Sequence, residues 1–231
     1  MIVSIHQPAY LPWLGHFHKI FLSDVFVFLD TVQLEKNGFV NRNRVRTHSG
    51  VQWLTLPVLM KGHMDKTIGE MKINPTVRWK EKHLRTIEQA YHTRPHYERY
   101  AKGIEDLIGD AGESLSDFLL EMLRFFLDAL GMGDKRIVPA SELNPEGKRS
   151  EMLLDICKKV GADVYLSGDG AKEYLDEAPF REAGIGVEFQ GFQHPEYDQG
   201  AERFEPNLAV IDALFNLGGE AVIPMLRSAR N

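Results

Sequence analysis

Two apolar runs of strand length open this chain, residues 1–6 and 25–30, and the residues between them repeat with a helical period. The second run, Val-Phe-Val-Phe-Leu-Asp, has no polar side chain before its last position, the pattern of a strand buried on both faces of its sheet. A helix is predicted from residue 12 to about 22, with Trp13, Leu14, Phe17, Ile20 and Phe21 on one side. Pro12, Gly15, His16 and Lys19 fall on the opposite stripe. Strand, helix and fully apolar strand in that order form the start of a parallel sheet.

Further along, residues 39–46 and 51–57 alternate around a turn at 47–50 and predict a β-hairpin. Its first arm puts Arg42, Arg44 and Arg46 on one face and Asn41 and Asn43 on the other. Asn74-Pro75 predicts a helix start, cap then first-turn proline, leading to about residue 91. A further helix is expected around 95–108. Residues 114–130 carry the clearest helical period, with Leu115, Phe118, Leu119, Met122, Leu123 and Phe126 spaced at three and four and Gly131 as the stop. The last third returns to alternation: helix 148–160, strand 163–166, a turn Ser167-Gly168-Asp169-Gly170-Ala171-Lys172, a short helix, strand 187–192, and an apolar helix 208–217 ended by Gly218-Gly219. The fold expected is a single α/β domain over 1–231 with a mostly parallel sheet, a β-hairpin and a helical insertion at about 60–134.

Composition narrows the classes of function. The chain has 231 residues, 43% hydrophobic and 26% charged, enough for a sizeable core. A formal net charge of −6 argues against nucleic acid as a partner. One cysteine, Cys157, rules out an intramolecular disulfide and a thiolate zinc centre, and its apolar neighbours predict a core position. No HExxH-type motif indicates a metal, so none is assigned. No run of about 18 apolar residues is present to span a membrane, and Met1 leads straight into a strand without a basic leader. A cytoplasmic location is the expectation.

The strongest site candidate is the segment after the first strand, His6-Gln7-Pro8-Ala9-Tyr10-Leu11-Pro12-Trp13-Leu14-Gly15-His16 with Lys19. Ligands of open α/β sheets bind at the carboxyl ends of strands, beside helix N-termini. His6, His16 and Lys19 are the catalytic candidates there. Gln7, Tyr10, Trp13 and Gly15 are candidate ligand contacts, the aromatics for stacking and the glycine for close approach. The alternative is a rigid loop filled by its own aromatics. Ser167, Gly168, Asp169 and Gly170 form a second strand-end turn whose backbone N–H groups can face an anion, or a plain glycine turn. Asn41, Arg42, Asn43 and Arg44 suit phosphate and sugar hydroxyls, or equally a charged edge strand exposed to water. Asp30 and Gln33 follow the second strand and share the edge of His6.

The strings IHQPAYLPWLGHFHKI, DVFVFLDTVQ, NRNRV, ADVYLSGDGAKEYLD and LAVIDALFNLG together resemble the recurrent blocks of the WbqC-like protein family of bacteria. The resemblance implies a bacterial protein associated with gene clusters for surface polysaccharide, and supplies no catalytic residue. Trp13-Leu14-Gly15-His16 is also similar to the HxGH signature of nucleotidyltransferase-like, Rossmann-like enzymes, with tryptophan in place of the first histidine. The expected function is a transferase of surface polysaccharide (O-antigen-type) assembly. It would bind an anionic small molecule, a nucleotide or nucleotide-linked amino sugar, and transfer a nucleotidyl, acyl or aminoacyl group. A non-catalytic protein that binds a glycan intermediate or a partner enzyme is the alternative. No motif fixes the cofactor or the oligomeric state; a nucleoside triphosphate with magnesium is the cofactor such a site would accept.

Overall fold

The structure is a computed structural model that describes residues 1–35 and 38–229. The chain starts with β1 (Ile2–His6), α1 (Leu14–Phe21) and β2 (Val25–Phe28). It continues through the hairpin strands β3 (Arg42–Thr47) and β4 (Gly50–Thr55), then the helices α2 (Trp79–Tyr91), α3 (Tyr97–Gly109) and α4 (Leu115–Ala129). β5 (Arg136–Pro139) leads into α5 (Ala140–Leu143) and α6 (Ser150–Val160), and β6 (Val164–Ser167) is followed by a 3₁₀ turn at Asp169–Glu173. The chain closes with α7 (Ala178–Glu182), β7 (Gly186–Phe189), α8 (Val210–Leu217) and α9 (Gly219–Ser228).

The strands form a five-stranded sheet of order β5-β2-β1-β6-β7, every pair parallel, and β3-β4 stand apart as an antiparallel hairpin. The α/β reading with a parallel sheet and a separate hairpin therefore holds. From β1 the chain moves outward to β2 and β5, then crosses back to β6 and out to β7. The direction reverses between β1 and β6, which makes their carboxyl ends the topological switch point.

The side-chain alternation of β1 and β2 sorts the two faces. Val3, Ile5, Val25 and Val27 pack with Ile156, Cys157 and Phe180 from α6 and α7, while Phe26 and Phe28 pack with Phe17 and Ile20 of α1. All four residues of β2 are buried, as its unbroken apolar run requires. Helix α1 is buried over Leu14–Ile20 because it has the sheet on one side and packs against α9 as well. The crossover from β2 to β5 carries the hairpin and α2–α4. There Leu119, Met122, Leu123 and Phe126 join α8 and α9 in the larger core.

Three of the differences from the sequence reading have a clear physical reason. Asn74 does not start a helix: its Oδ1 accepts from Thr76 N (3.0 Å) and Thr76 Oγ1 (2.8 Å), closing a turn, and α2 begins at Trp79. β5 went unrecognised; its four residues, Arg-Ile-Val-Pro, are too few for a periodic signal. Gly218-Gly219 separates two helices rather than ending the last one, because Gly218 takes φ 77° and turns the chain directly into α9.

Candidate functional site at the sheet switch point

A cavity of about 390 Å³ beside Trp79 and one of about 500 Å³ between α2 and α3 lie on the helical body. Another cavity, of about 360 Å³, lies over the carboxyl ends of β1 and β6 and is lined by residues of both strand-end turns. His6, Gln7 and Lys19 line it from the first strand and α1; Ser167, Gly168 and Gly170 line it from the second turn. Leu29, Glu35, Leu153, Tyr165 and Tyr174 contribute to its walls as well. β1 and β6 bring the two turns together: two positions beyond the registered pair Ser4↔Leu166 come His6 and Gly168. Lys19 Nζ lies 3.8 Å from where a Gly168 β-carbon would stand.

Lys19 is 3% exposed. Its ammonium donates to the Ile5 carbonyl at 2.9 Å, and among the described residues no carboxylate lies within 4.0 Å of it. Burial lowers its pKa to about 8 against an opposing pull from Asp169. One donor of three is used on the protein, which leaves two N–H groups for a ligand.

His6 Nδ1 donates to its neighbour's carbonyl, Gln7 O, at 2.9 Å, so Nε2 is the acceptor of the neutral ring. Burial, and then the Lys19 charge, lower its pKa to about 4. His16 meets the His6 ring edge-on, with centroids 4.8 Å apart, and backs onto Phe26. Its Nδ1 is buried without a hydrogen-bond partner, and burial holds it neutral. The His6 and His16 rings are thus direct neighbours although they stand ten positions apart in the chain. His16 supports His6 from behind and does not itself line the cavity.

The remaining candidates have other tasks. Tyr10 is fully buried, its hydroxyl 2.7 Å from His83 Nδ1 and its ring among Trp79 and Phe118, so it fills core space rather than stacking on a ligand. Trp13 lies against Phe192 and His194, and Gly15 is glycine because a β-carbon there would collide with the Trp13 indole. Asp30 accepts from Ser141 N (2.9 Å) and Ser141 Oγ (2.7 Å), tying β2 to α5. Gln33 donates to the Met64 carbonyl.

The hairpin strand is likewise occupied. Asn41 donates to Leu56 O (2.9 Å), and Asn43, fully buried, donates to Leu11 O (2.6 Å). Arg42 lies 4.3 Å over the Trp53 ring, and Arg44 pairs with Glu205 at 3.1 Å. Asp169 turns from the cavity to Lys172 (2.6 Å) and Phe192 N (3.3 Å). Burial opposes ionisation of its carboxyl, yet Lys172 and these backbone contacts hold its pKa below the usual range.

Glu35, Tyr165, Tyr174, Leu29 and Leu153 were missed as lining residues. Strand position gave a signal for Leu29, just after β2, and for Tyr165, within β6; Glu35 and Tyr174 lie on loops and Leu153 on α6. Cys157 is core, as expected, and burial pushes its thiol up to about 12. Among the described residues no helix is long and apolar enough to cross a membrane.

Comparison with known proteins agrees with the blocks read from the sequence. The WbqC-like protein family matches residues 7–223. An uncharacterized protein of Mycobacterium tuberculosis, Rv1507c, is 32% identical over 223 residues, covering 95% of this chain and 95% of the relative. No solved structure matches. A match over nearly the whole length, running through both turns of the switch-point cavity, establishes that this chain belongs to the WbqC-like protein family.

Proposed function

We propose that the protein is a transferase of bacterial surface polysaccharide assembly that holds a nucleotide-linked amino sugar, or a related nucleotide, in the switch-point cavity. The observation that carries this reading is Lys19: a buried ammonium with no carboxylate partner among the described residues, facing a glycine turn. A buried charge without a counter-ion is costly. A ligand phosphate oxygen supplies that counter-ion, and the Gly168–Gly170 backbone offers further donors. His6, neutral at physiological pH, takes the proton from the attacking hydroxyl or amine through Nε2 as that atom bonds to the transferred phosphorus or carbonyl carbon. The donor's bond to pyrophosphate, or to the carrier of the acyl or aminoacyl group, breaks and that group leaves with the electron pair. His16 positions the His6 ring.

A nucleoside triphosphate as cosubstrate would bring its own magnesium. Among the described residues no group of three His, Cys, Asp or Glu side chains converges to hold a metal ion. Association of the family with polysaccharide gene clusters supports the substrate class.

Thermal-shift measurement with ATP, CTP and UDP-amino sugars, with and without magnesium, tests the reading. Nucleotide ligands are expected to raise the melting temperature of wild type and of Arg42→Ala. Lys19→Ala loses charge-assisted hydrogen bonds and binds about tenfold or more weakly. Stabilisation by free sugars alone would favour a non-catalytic glycan-binding protein instead.

A further inference from the structure

The walls of the switch-point cavity carry charge of both signs. Among its described lining residues Lys19 is the one ammonium and Glu35 the one carboxylate. They differ in setting: Lys19 is buried in α1 beneath the strand ends, whereas Glu35 is exposed, on the loop that leaves β2. Among the described residues no side chain pairs with the Glu35 carboxylate within 4.0 Å. The same walls include the apolar and aromatic side chains of Leu29, Leu153, Tyr165 and Tyr174.

A carboxylate on the wall of a site built for a bare polyanion works against binding, because it offsets the attraction of the single lysine. The conflict disappears if the ligand itself carries a cation. We infer that Glu35 reads the amino group of the ligand, so that the cavity takes a molecule with an anionic end at Lys19 and an ammonium at Glu35. This rests on the nucleotide-amino-sugar reading above and specifies which part of that ligand each charged residue holds. It also assigns Glu35 a role in selectivity: an N-acylated sugar, uncharged at that nitrogen, forfeits the contact and leaves the carboxylate facing an amide.

Titration calorimetry near pH 6.5, below the pKa of about 8 of such an amine, tests the assignment with UDP, UDP-glucosamine and UDP-N-acetylglucosamine. Wild type is expected to favour the free amine over the acetamide about threefold to fivefold, the range of an ion pair open to solvent. Glu35→Gln is expected to bring that ratio to about one and, by removing a negative charge from the wall, to bind UDP at least as tightly as wild type, while Lys19→Ala weakens all three. If all three bind through Lys19 but wild type shows no preference for the amine, or Glu35→Gln keeps the preference, this inference is overturned and the nucleotide reading survives. A Glu35→Gln effect confined to magnesium dependence also overturns it. If none of the three binds wild type, both readings fall together.

Discussion

At the scale of single residues, the cavity is set by titratable groups that burial keeps from their ordinary charge. His6 is held neutral down to about pH 4, whereas in the unfolded chain it takes up a proton near 6.5. Between those values the unfolded state binds more protons than the folded one, so stability falls as pH falls through this window. His83, lowered to about 4 by burial and then Lys82, adds to the same slope. His6→Gln is therefore expected to flatten the decline in melting temperature between about pH 6.5 and 4; an unchanged slope would show that the His6 ring is not the group responsible. Lys19 behaves in the opposite range. Its ammonium is lost as pH rises through about 8, and affinity for an anionic ligand is expected to drop there in wild type but not in Lys19→Arg, whose guanidinium stays charged.

At the scale of elements, the proline-pinned turn between β1 and α1 determines where Lys19 and His16 point. Leu11 sits in that turn at φ 45°, a left-handed backbone that a leucine adopts only when its surroundings enforce it. The constraint comes from the hairpin: Asn43 of β3 donates to Leu11 O at 2.6 Å, and Tyr10 N donates to Val40 O at 3.0 Å. Asn-Arg-Asn-Arg is thus a brace for the turn, with its asparagines bonded to Leu56 O and Leu11 O and its arginines, Arg42 and Arg44, turned to Trp53 and Glu205. Asn43→Ala leaves the Leu11 carbonyl buried and unpaired and is expected to cost about 1–3 kcal/mol in denaturant unfolding. A cost below about 0.5 kcal/mol would mean that the turn holds its shape without the hairpin.

At the scale of the whole molecule, a buried polar cluster joins the helical body to the hairpin and to the loop after β7. Asp212, fully buried in α8, accepts from Tyr91 Oη of α2 (3.0 Å) and Tyr197 Oη of the loop after β7 (2.8 Å); Tyr91 Oη accepts in turn from Arg46 N of β3 (3.1 Å). Burial raises the Asp212 pKa, partly offset by the two hydroxyl donors. Asp212→Ala would leave the O–H donors of both phenols without their acceptor, with an expected loss on the order of 3 kcal/mol. Because the cluster lies outside the switch-point cavity, nucleotide-induced stabilisation is expected to persist in that variant below its lowered melting temperature.

The chain order alone determined the parallel strand–helix–strand start, the hairpin, the helix from Ser114 onward and the two strand-end turns, since each leaves a local period or a glycine and proline signature. Their convergence at His6 and Gly168 followed from strand order, which local patterns do not encode: nothing in the sequence says that β6, and not β5, lies beside β1. Tertiary structure also decided which polar residues face the cavity. Asn43 and Asp30 have the same chemistry as ligand-binding side chains, but their donors and acceptors are used on Leu11 and Ser141, partners distant in sequence. Lys19 differs because packing buries it and leaves two of its donors unused, a property of the assembled layers rather than of the residue or its neighbours.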